Sequence, residues 1–295
     1  TKGSVGDSMK AVIPAAGWGL RFLPLTKEQP KEMLPVVDKP TIQYVVEEAL
    51  AAGITDIVII TGRHKRGIED HFDRSYELES ILERNNKTEY LRKVREISNM
   101  ADIHFIRQKE QRGLGDAVRM ARQHVGDEAF AVMLGDTIYR SKVPVVKQLM
   151  DVYERTGRSV IAVEPVPREK VKDYGIVKGE ETGPNLFLID DLVEKPHPEL
   201  APSNLAIAGT YILTPAIFDC IDHTPPGLNG EVQLTDALRL LRKREEIYGW
   251  RFEGKRYDIG DMMGWLKTQC ELALDNPVYA PALREHMEHL LRERR

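Results

Sequence analysis

The stretch between the first predicted strand and the first long predicted helix constrains this chain most. A strand-like apolar run over residues 11–15 leads directly into Gly17 and Gly19, and Arg21 and Lys31 follow. Glycines let the backbone approach a bulky ligand and turn successive N–H groups toward anionic oxygens, while the two cations add positive charge. The pattern predicts a loop that binds a nucleoside triphosphate.

Neighbouring residues exclude two commoner glycine-rich loops. A dinucleotide-binding G-x-G-x-x-G loop would need glycine at the position of Phe22. A P-loop would need Gly-Lys-Ser/Thr at the start of a helix, but Pro24 and Pro30 prevent an immediate helix. An ordinary tight turn would explain the glycines but not the cations that follow them.

The bulk composition indicates a globular protein and argues against a nucleic-acid partner. The chain has 295 residues, 42% of them hydrophobic and 30% charged, and a net charge of −4. This balance gives no global basic field for nucleic acid, so phosphate binding must come from local clusters. No apolar stretch is long enough for a bilayer and no secretory signal is recognisable, so we expect a cytoplasmic protein without membrane or nucleic-acid partners. Cys220 and Cys270 lie in apolar helical patterns and are expected to be buried, inert thiols.

The order of segments predicts an α/β fold. In the first half, apolar strand patterns alternate with helical patterns, which indicates a mostly parallel sheet with helices on both faces. The strand patterns lie at residues 11–15, 56–61, 103–106 and 129–134, and the helical ones at 42–50, 66–96 and 115–124. In the second half, short strands are predicted at residues 159–163, 175–178, 192–194 and 206–213, with helices at 215–221, 233–243, 262–274 and 281–294.

Several runs, in their order along the chain, resemble the nucleotidyltransferases that activate sugar 1-phosphates, and most of all the bacterial UTP–glucose-1-phosphate uridylyltransferase family. The resemblance covers roughly residues 10–275. It rests on RFLP at 21–24, PKEMLPVVDKP at 30–40, GLG at 113–115, VEKP at 193–196, APSNLA at 201–206 and EVQLTD at 231–236. It implies a Rossmann-like, mostly parallel mixed sheet flanked by helices, as in glycosyltransferase-A-like folds.

The sequence also predicts a domain organisation, because it contains no linker rich in glycine, proline and serine. We expect a flexible leader over residues 1–8, a single nucleotidyltransferase domain over 9–280 and a C-terminal helix over 281–295. The nucleotide-binding half would cover about 9–140 and the sugar-binding half about 141–280. The family forms dimers or tetramers, and the last helix carries an apolar stripe that would serve either packing or a subunit contact: Leu283, Met287, Leu290 and Leu291.

The implied reaction joins UTP to glucose 1-phosphate and gives UDP-glucose and pyrophosphate. The sugar phosphate attacks the α-phosphorus in line, with Mg²⁺ as cofactor. Asp136 follows the buried strand pattern at 129–134, so it lies at the carboxyl edge of the sheet, where open α/β sheets bind ligands. The resemblance makes Asp136 and Asp258 the metal ligands, whereas a turn or helix cap is the ordinary role of such aspartates. Asp261 is the expected N-cap of the next helix.

Further roles follow from the resemblance, position by position. The catalytic group is Arg21, Lys31, Asp136 and Lys195. The nucleotide-binding group is Ala16, Gly17, Gly19, Glu32, Gln108, Gly113 and Gly135. The sugar-binding group is Tyr174, Gly175, Glu194, Lys195, Gly209 and Tyr211. Without the resemblance, Gln108 would be interpreted as a surface residue, and Glu194 with Lys195 as a solvated pair.

Two departures from the family pattern leave alternatives open. Leu20 stands where the family loop carries threonine, and Asp116 follows the second glycine loop in place of a histidine. Leucine offers no hydroxyl to a phosphate, so either the use of UTP is weakened or Leu20 turns into the core. The rival functions are a uridylyl- or thymidylyltransferase for another sugar 1-phosphate and a catalytically weak regulatory paralogue. The sequence Lys31-Glu32 favours the uridylyl group. The regulatory paralogue is disfavoured because the charged residues expected for catalysis and metal binding are all present: Arg21, Lys31, Asp136, Lys195 and Asp258.

Overall fold

The computed structural model describes residues 9–293, so the predicted leader over 1–8 lies outside the described residues. The strands are β1 (Lys10–Pro14), β2 (Pro35–Val36), β3 (Lys39–Pro40), β4 (Asp56–Thr61), β5 (Asp102–Arg107), β6 (Phe130–Met133), β7 (Thr137–Arg140), β8 (Ser159–Pro165), β9 (Gly175–Gly183), β10 (Leu186–Glu194), β11 (Leu205–Leu213), β12 (Ile247–Arg251) and β13 (Lys255–Asp258). The α-helices are α1 (Thr41–Ala51), α2 (Arg66–Phe72), α3 (Tyr76–Arg84), α4 (Thr88–Ser98), α5 (Leu114–Met120), α6 (Arg122–Val125), α7 (Val145–Thr156), α8 (Ala216–Asp222), α9 (Leu234–Arg242), α10 (Met262–Asp275) and α11 (Ala280–Glu293).

One nine-stranded sheet takes strands from both halves of the chain, in the order β5-β4-β1-β6-β11-β8-β12-β10-β9. β1 pairs in parallel with β4 and β6, and β4 pairs in parallel with β5. β11 is antiparallel to both β6 and β8, whereas β12 is parallel to β8. This is the predicted α/β fold with a mixed sheet.

The strand order places a ligand crevice beside β1. The chain continues from β1 to β4 and β5 on one side, and β6 lies on the other side. In open α/β sheets, ligands bind at the carboxyl ends of the strands where the order reverses in this way. The loops that leave β1 and β6 therefore border the expected site.

Alternate residues of the central strands face two separate cores. Ala11 and Ile13 of β1 pack with α1, α2 and α7, whereas Val12 packs with α5, α8 and α9 on the other face. β4 follows the same alternation, with Ile57 on the first face and Val58 on the second. Because both faces are covered, these strands read as continuous apolar runs in the sequence.

The structure corrects several predicted elements. The segment 66–96 contains three helices, and the predicted helix over 115–124 is divided into α5 and α6 at Ala121. β9 and β10 are nine residues long rather than short, because they pair as a hairpin whose polar residues face solvent. β7, α7, β12 and β13 were not predicted, although α7 carries an apolar stripe at Val145, Val146, Leu149 and Met150.

The C-terminal helices pack loosely on the surface. Cys220 is buried in α8 as predicted, but Cys270 is exposed, because α10 buries only Thr268. α11 packs against α10 and has no fully buried side chain, and Leu291 is 66% exposed. Among the described residues, no helix is both long and apolar enough to cross a membrane.

Candidate active site

Asp136 and Asp258 are brought together by a strand pair that the sequence did not reveal. β7 begins directly after Asp136 and pairs antiparallel with β13, so that Asp258 stands opposite Thr137. The backbone N–H of Ile259 donates to the carbonyl oxygen of Asp136 at 3.1 Å. The predicted metal ligands, distant along the chain, are therefore neighbours at the carboxyl edge of the sheet.

Lys31 forms an ion pair with Asp136. The distance from Nζ to Oδ2 is 2.5 Å, and both side chains are largely buried. Burial opposes the charge of Asp136, but the ammonium of Lys31 outweighs it and holds the pKa of Asp136 below its usual range. Burial likewise opposes the charge of Lys31, and the nearby carboxylate of Asp136 raises its pKa above the ordinary value. Both groups are thus charged at neutral pH.

The glycine loop presents Arg21 to the same place. Gly19 has a φ of 67°, and a side chain there would press on Thr26 and Lys31 at 3.2 Å, so glycine is required for the turn. Phe22 is buried beneath the loop beside Leu34 and Ile259 and holds it in position. Arg21 remains exposed and contributes to the low pKa of Asp136. The cation therefore lies where a triphosphate could reach it.

A cavity of about 250 Å³ opens beside the two aspartates. The predicted residues that line it are Arg21, Asp136, Tyr174, Gly175, Glu194, Lys195, Gly209, Tyr211 and Asp258. It thus brings together the predicted sugar-binding set and most of the predicted catalytic set. A wider open groove of about 980 Å³, lined by residues such as Arg140 and Trp250, contains none of the predicted residues.

Glu194 and Lys195 are held in defined positions at the end of β10. Thr235 donates from Oγ1 to Oε2 of Glu194 at 2.6 Å, and Gly175 leaves room for this contact because a Cβ there would lie 2.8 Å from Oγ1 of Thr235. Lys195 has a φ of 44°, a left-handed conformation that costs energy in a residue with a side chain. Its N–H donates to the carbonyl oxygen of Tyr174 at 3.0 Å, which helps to keep this conformation. Such strain is often retained at functional sites.

Arg256 is a buried cation that the sequence analysis missed. Its side chain is 7% exposed, lies 2.5 Å from Glu164 and 3.7 Å from Asp258, and covers the ring of Tyr174. Tyr174 in turn donates its hydroxyl hydrogen to Oδ2 of Asp258 at 2.8 Å. Burial first, and then the Asp258 carboxylate, raise the pKa of Tyr174 to about 12, so this hydroxyl stays protonated.

Among the residues predicted to bind the nucleotide, Glu32 is completely buried and pairs with Lys65 at 2.8 Å. The lysine was not predicted as a site residue. Gly135 leaves room for this pair, since a Cβ there would lie 3.2 Å from Cγ of Glu32. Lys65 and Gly17 border a small cavity of about 30 Å³ under the glycine loop. Glu32 therefore holds Lys65 at the edge of this cavity and does not line the cavity itself.

Gln111 is a second residue that was missed next to the glycine loop. Its Nε2 donates to the carbonyl oxygen of Ala16 at 2.6 Å. Its Oε1 is buried and has no hydrogen-bond partner among the described residues. Because a buried acceptor without a partner is costly, this oxygen marks a position where a ligand donor would be stabilised.

Gln108 is buried, contrary to the surface interpretation, but its amide is already occupied. Nε2 donates to Oδ2 of Asp116 at 2.7 Å and lies 3.4 Å from the carbonyl oxygen of Gly113. Arg119 also pairs with Asp116. Gln108 lines a separate cavity of about 350 Å³, so the structure does not place it in the cavity that contains Asp136. Asp116, one of the departures from the family pattern, is its partner.

The carboxylates of Asp136 and Asp258 fit a divalent cation. The ion pair with Lys31 and the hydrogen bond from Tyr174 both use an Oδ2 atom, and both carboxylates line the same cavity. Two carboxylates with room for water and phosphate oxygens are a donor set that suits Mg²⁺. Asp261, by contrast, caps α10 as predicted by accepting from the N–H of Gly264.

Comparison with known proteins identifies the family of this chain. The sequence profile of the family described as "Nucleotidyl transferase" matches residues 10–273. A UTP–glucose-1-phosphate uridylyltransferase from Staphylococcus epidermidis is 50% identical over 281 residues, covering 95% of this chain and 98% of that protein. The enzyme of the same name from Bacillus subtilis is 52% identical over 282 residues, covering 96% and 97%.

Solved structures resemble the whole fold. A UDP-glucose pyrophosphorylase in complex with UDP-glucose has a TM-score of 0.84 and 44% identity, covering 91% of this chain and 99% of that one. A UTP-bound enzyme of this kind from Acinetobacter baumannii has a TM-score of 0.89 and 36% identity, covering 96% and 99%. With a family profile over most of its length and relatives of this similarity, the chain belongs to the nucleotidyl transferase family.

Proposed function

We propose that this protein transfers the uridylyl group of UTP to glucose 1-phosphate, giving UDP-glucose and pyrophosphate. One observation carries the proposal: Asp136 and Asp258 lie side by side between the loop that presents Arg21 and the cavity that presents Lys195. Two anions can meet in line at such a place. The uridylyltransferases that share half of its residues support the identity of the substrates.

The cations of the loop would bind the triphosphate. Phosphoryl and nucleotidyl transfer ask the protein mainly to align anions and neutralise charge. Arg21 is exposed and available to phosphate oxygens, whereas Lys31 is paired with Asp136. We therefore assign Lys31 an exchange of partner, from the carboxylate of Asp136 to the triphosphate. The backbone N–H groups near Gly17 and Gly19 would add neutral donors.

Mg²⁺ would be held by the carboxylates of Asp136 and Asp258. When bound, the ion neutralises charge on the phosphate oxygens. Tyr174 orients Asp258 through its 2.8 Å hydrogen bond, and the guanidinium of Arg256 lies 3.7 Å from the same carboxylate oxygen. The protein thus presents a fixed pair of acidic ligands.

Glucose 1-phosphate would occupy the 250 Å³ cavity. Lys195 is exposed at its edge and is suited to the sugar phosphate, whereas Glu194, fixed by Thr235, offers an acceptor to sugar hydroxyls. Gly175, Gly209, Tyr174 and Tyr211 line the same cavity, where the two glycines make room for protein side chains, Thr235 beside Gly175 and Leu134 beside Gly209. We assign the sugar to residues of about 141–280 and the nucleotide to residues of about 9–140.

The uracil would lie against the backbone of Ala16 and Gly17. Uracil carries an N3–H donor between two carbonyl acceptors, so a site that reads it needs an acceptor near amide donors. The partnerless Oε1 of Gln111 is such an acceptor beside the loop. Gln108, Gly113 and Gly135 would complete the nucleotide site, with the amide of Gln108 leaving Asp116 when the base binds.

The test is an assay of pyrophosphate release by the purified protein with each NTP, each of several sugar 1-phosphates and Mg²⁺. We expect UTP with glucose 1-phosphate to be used best, and Asp136→Asn to lose nearly all turnover while it remains folded. The variant Lys195→Ala tests the sugar-phosphate contact. Its matched control is Lys178→Ala, because Lys178 is an exposed lysine on the neighbouring strand β9. The control should keep the KM for glucose 1-phosphate, and Lys195→Ala should raise it. Preference for another sugar or base, or wild-type turnover in Asp136→Asn, would contradict the proposal.

We also propose that the enzyme works in the cytoplasm, where phosphorylated sugars and nucleotides are its substrates, and that it associates as a homodimer or homotetramer. The half-buried stripe on α11, with Leu291 66% exposed, supports a subunit contact through this helix. Light scattering at micromolar protein should report a multiple of the 33.5 kDa chain. A monomer under these conditions would contradict this assignment.

A further inference from the structure

We propose that Asp56, His104 and His124 form a binding site for a divalent transition-metal ion that imidazole favours, of which Zn²⁺ is the best probe. The three side chains come from three elements: the first residue of β4, the middle of β5 and the helix α6. They lie near the amino ends of β4 and β5, whereas Asp136 lies beyond the carboxyl end of β6, which runs in the same direction. The proposed site is therefore separate from the candidate active site.

The donor atoms are already close to the spacing that a metal requires. Oδ1 of Asp56 lies 2.7 Å from Nε2 of His124 and 3.9 Å from Nε2 of His104. One donor atom from each residue lies within 4.8 Å of the other two. Ligands about 2.0–2.1 Å from a tetrahedral Zn²⁺ are roughly 3.4 Å apart. The observed distances bracket this value, so small side-chain rotations would complete the site.

The backbone explains why these side chains share one place. In the parallel register of β4 and β5, Asp56 is opposite Asp102 and Val58 is opposite His104, so Asp56 and His104 project from the same face as diagonal neighbours. α6 lies over that face and brings His124 to the same carboxylate. Lys10 of β1 donates from Nζ to the carbonyl oxygen of His124 at 2.8 Å, which ties the helix to the strand edge. The ligands thus stand on a rigid frame.

Exposure leaves a route for the ion. The side chain of His104 is 55% exposed and that of Asp56 37%, whereas His124 is only 19% exposed. Two imidazoles and one carboxylate suit Zn²⁺, with water in the remaining position, while Mg²⁺ prefers oxygen ligands alone. A bound ion would join the edge strand β5 to β4 and α6, so it should stabilise the fold.

The experiment is a titration of the full chain, freed of metal by a chelator, with Zn²⁺ in the presence of excess Mg²⁺ that saturates oxygen-only sites. Calorimetry gives the stoichiometry, and Co²⁺ in place of Zn²⁺ gives a visible absorption spectrum that reports imidazole coordination. The variants are His104→Gln and His124→Gln. The matched control is His289→Gln. His289 also pairs with a carboxylate, that of Glu293 at 3.4 Å, but it does not belong to the proposed group of three metal donors.

We expect one Zn²⁺ per chain, with a Tm that rises on addition of the ion. Affinity should fall by at least about tenfold in His104→Gln, since even the outer partners of metal ligands typically contribute that much. His289→Gln should bind as wild type does. Because His104 is largely exposed, its variant should remain folded. Failure of wild type to bind Zn²⁺ at the site, or equal affinity in wild type and both site variants, would overturn the proposal and leave Asp56 and His124 as an ion pair.

Discussion

Tyr174 donates its hydroxyl hydrogen to Oδ2 of Asp258 at 2.8 Å. A residue that lines the proposed sugar cavity thus orients Asp258, a proposed metal ligand. Removing the hydroxyl in Tyr174→Phe should loosen this carboxylate, since a hydrogen bond to a charged group contributes about 1.5–3 kcal/mol. We expect the Mg²⁺ concentration for half-maximal activity to rise severalfold. Tyr211→Phe is the control, because Tyr211 lines the same cavity and has no hydrogen bond to Asp258 among those described. Equal Mg²⁺ dependence in both variants would contradict the assignment.

Lys31 is expected to act on both UTP and Asp136. Loss of its cation in Lys31→Ala should lower kcat/KM for UTP by about 10²–10³, the usual effect of removing one preorganised donor. The pKa of Asp136, depressed in wild type because Lys31 outweighs burial, should rise in the variant. The acidic limb of the kcat/KM profile should therefore move to higher pH.

A pH profile of each protein checks this prediction, with the exposed Lys178→Ala variant as control. If the acidic limb of Lys31→Ala coincides with that of wild type, the ion pair does not govern the charge of Asp136 in the working enzyme.

Leu20 is 67% exposed at the start of a short 3₁₀ turn, which excludes the alternative that it turns into the core. A threonine there would add a hydroxyl beside the proposed phosphate site, and a typical hydrogen bond contributes about 0.5–1.5 kcal/mol net. Leu20→Thr should raise kcat/KM for UTP severalfold with little change in stability. Leu20→Val is the matched control, since valine has the shape of threonine without the hydroxyl. An equal rise in both variants would exclude the hydroxyl as the cause.

Glu48 is expected to make stability fall as pH rises. Burial raises its pKa to about 7, although Oε1 accepts from the N–H of Val146 at 3.2 Å. Between about pH 4.5 and pH 7, Glu48 is therefore still protonated in the folded protein but already ionised in the unfolded chain. The free energy of unfolding decreases as the pH rises across this window. With about 1.4 kcal/mol per pKa unit, the decrease is on the order of 3 kcal/mol.

Glu48→Gln should remove this dependence and be more stable than wild type at pH 8 by about 1–3 kcal/mol, while the two are similar near pH 4.5. Urea unfolding at several pH values measures it, with the exposed Glu285→Gln as control. Parallel stability curves for wild type and Glu48→Gln would contradict the prediction.

Local patterns sufficed for the parallel part of the fold. The strands β1, β4 and β6 are covered on both faces, so each is a continuous apolar run that can be recognised without tertiary information. The glycine loop after β1 was also recognisable from local sequence, because Gly17, Gly19, Arg21 and Lys31 lie close together along the chain. The polar hairpin of β9 and β10 lacks such a run, and its length was underestimated.

Other features depend on partners that lie far away along the chain. A buried cation has no local signature, so Arg256 with Glu164 and Lys65 with Glu32 became visible only when packing brought each pair together. The resemblance to a family proposed Asp136 and Asp258 as partners, but their adjacency results from the pairing of β7 with β13.

By itself, then, the sequence determined the class of fold, because helix and strand periodicity and turn residues act over short distances. It also predicted a nucleotide loop, and its resemblance to a family predicted the residues for the chemistry. Tertiary structure alone decided which charges face each other: Lys31 on Asp136, Tyr174 on Asp258 and Gln108 on Asp116. The physical reason is that the charge state and orientation of a side chain depend on its burial and its neighbours, and both are set by the packing of distant segments.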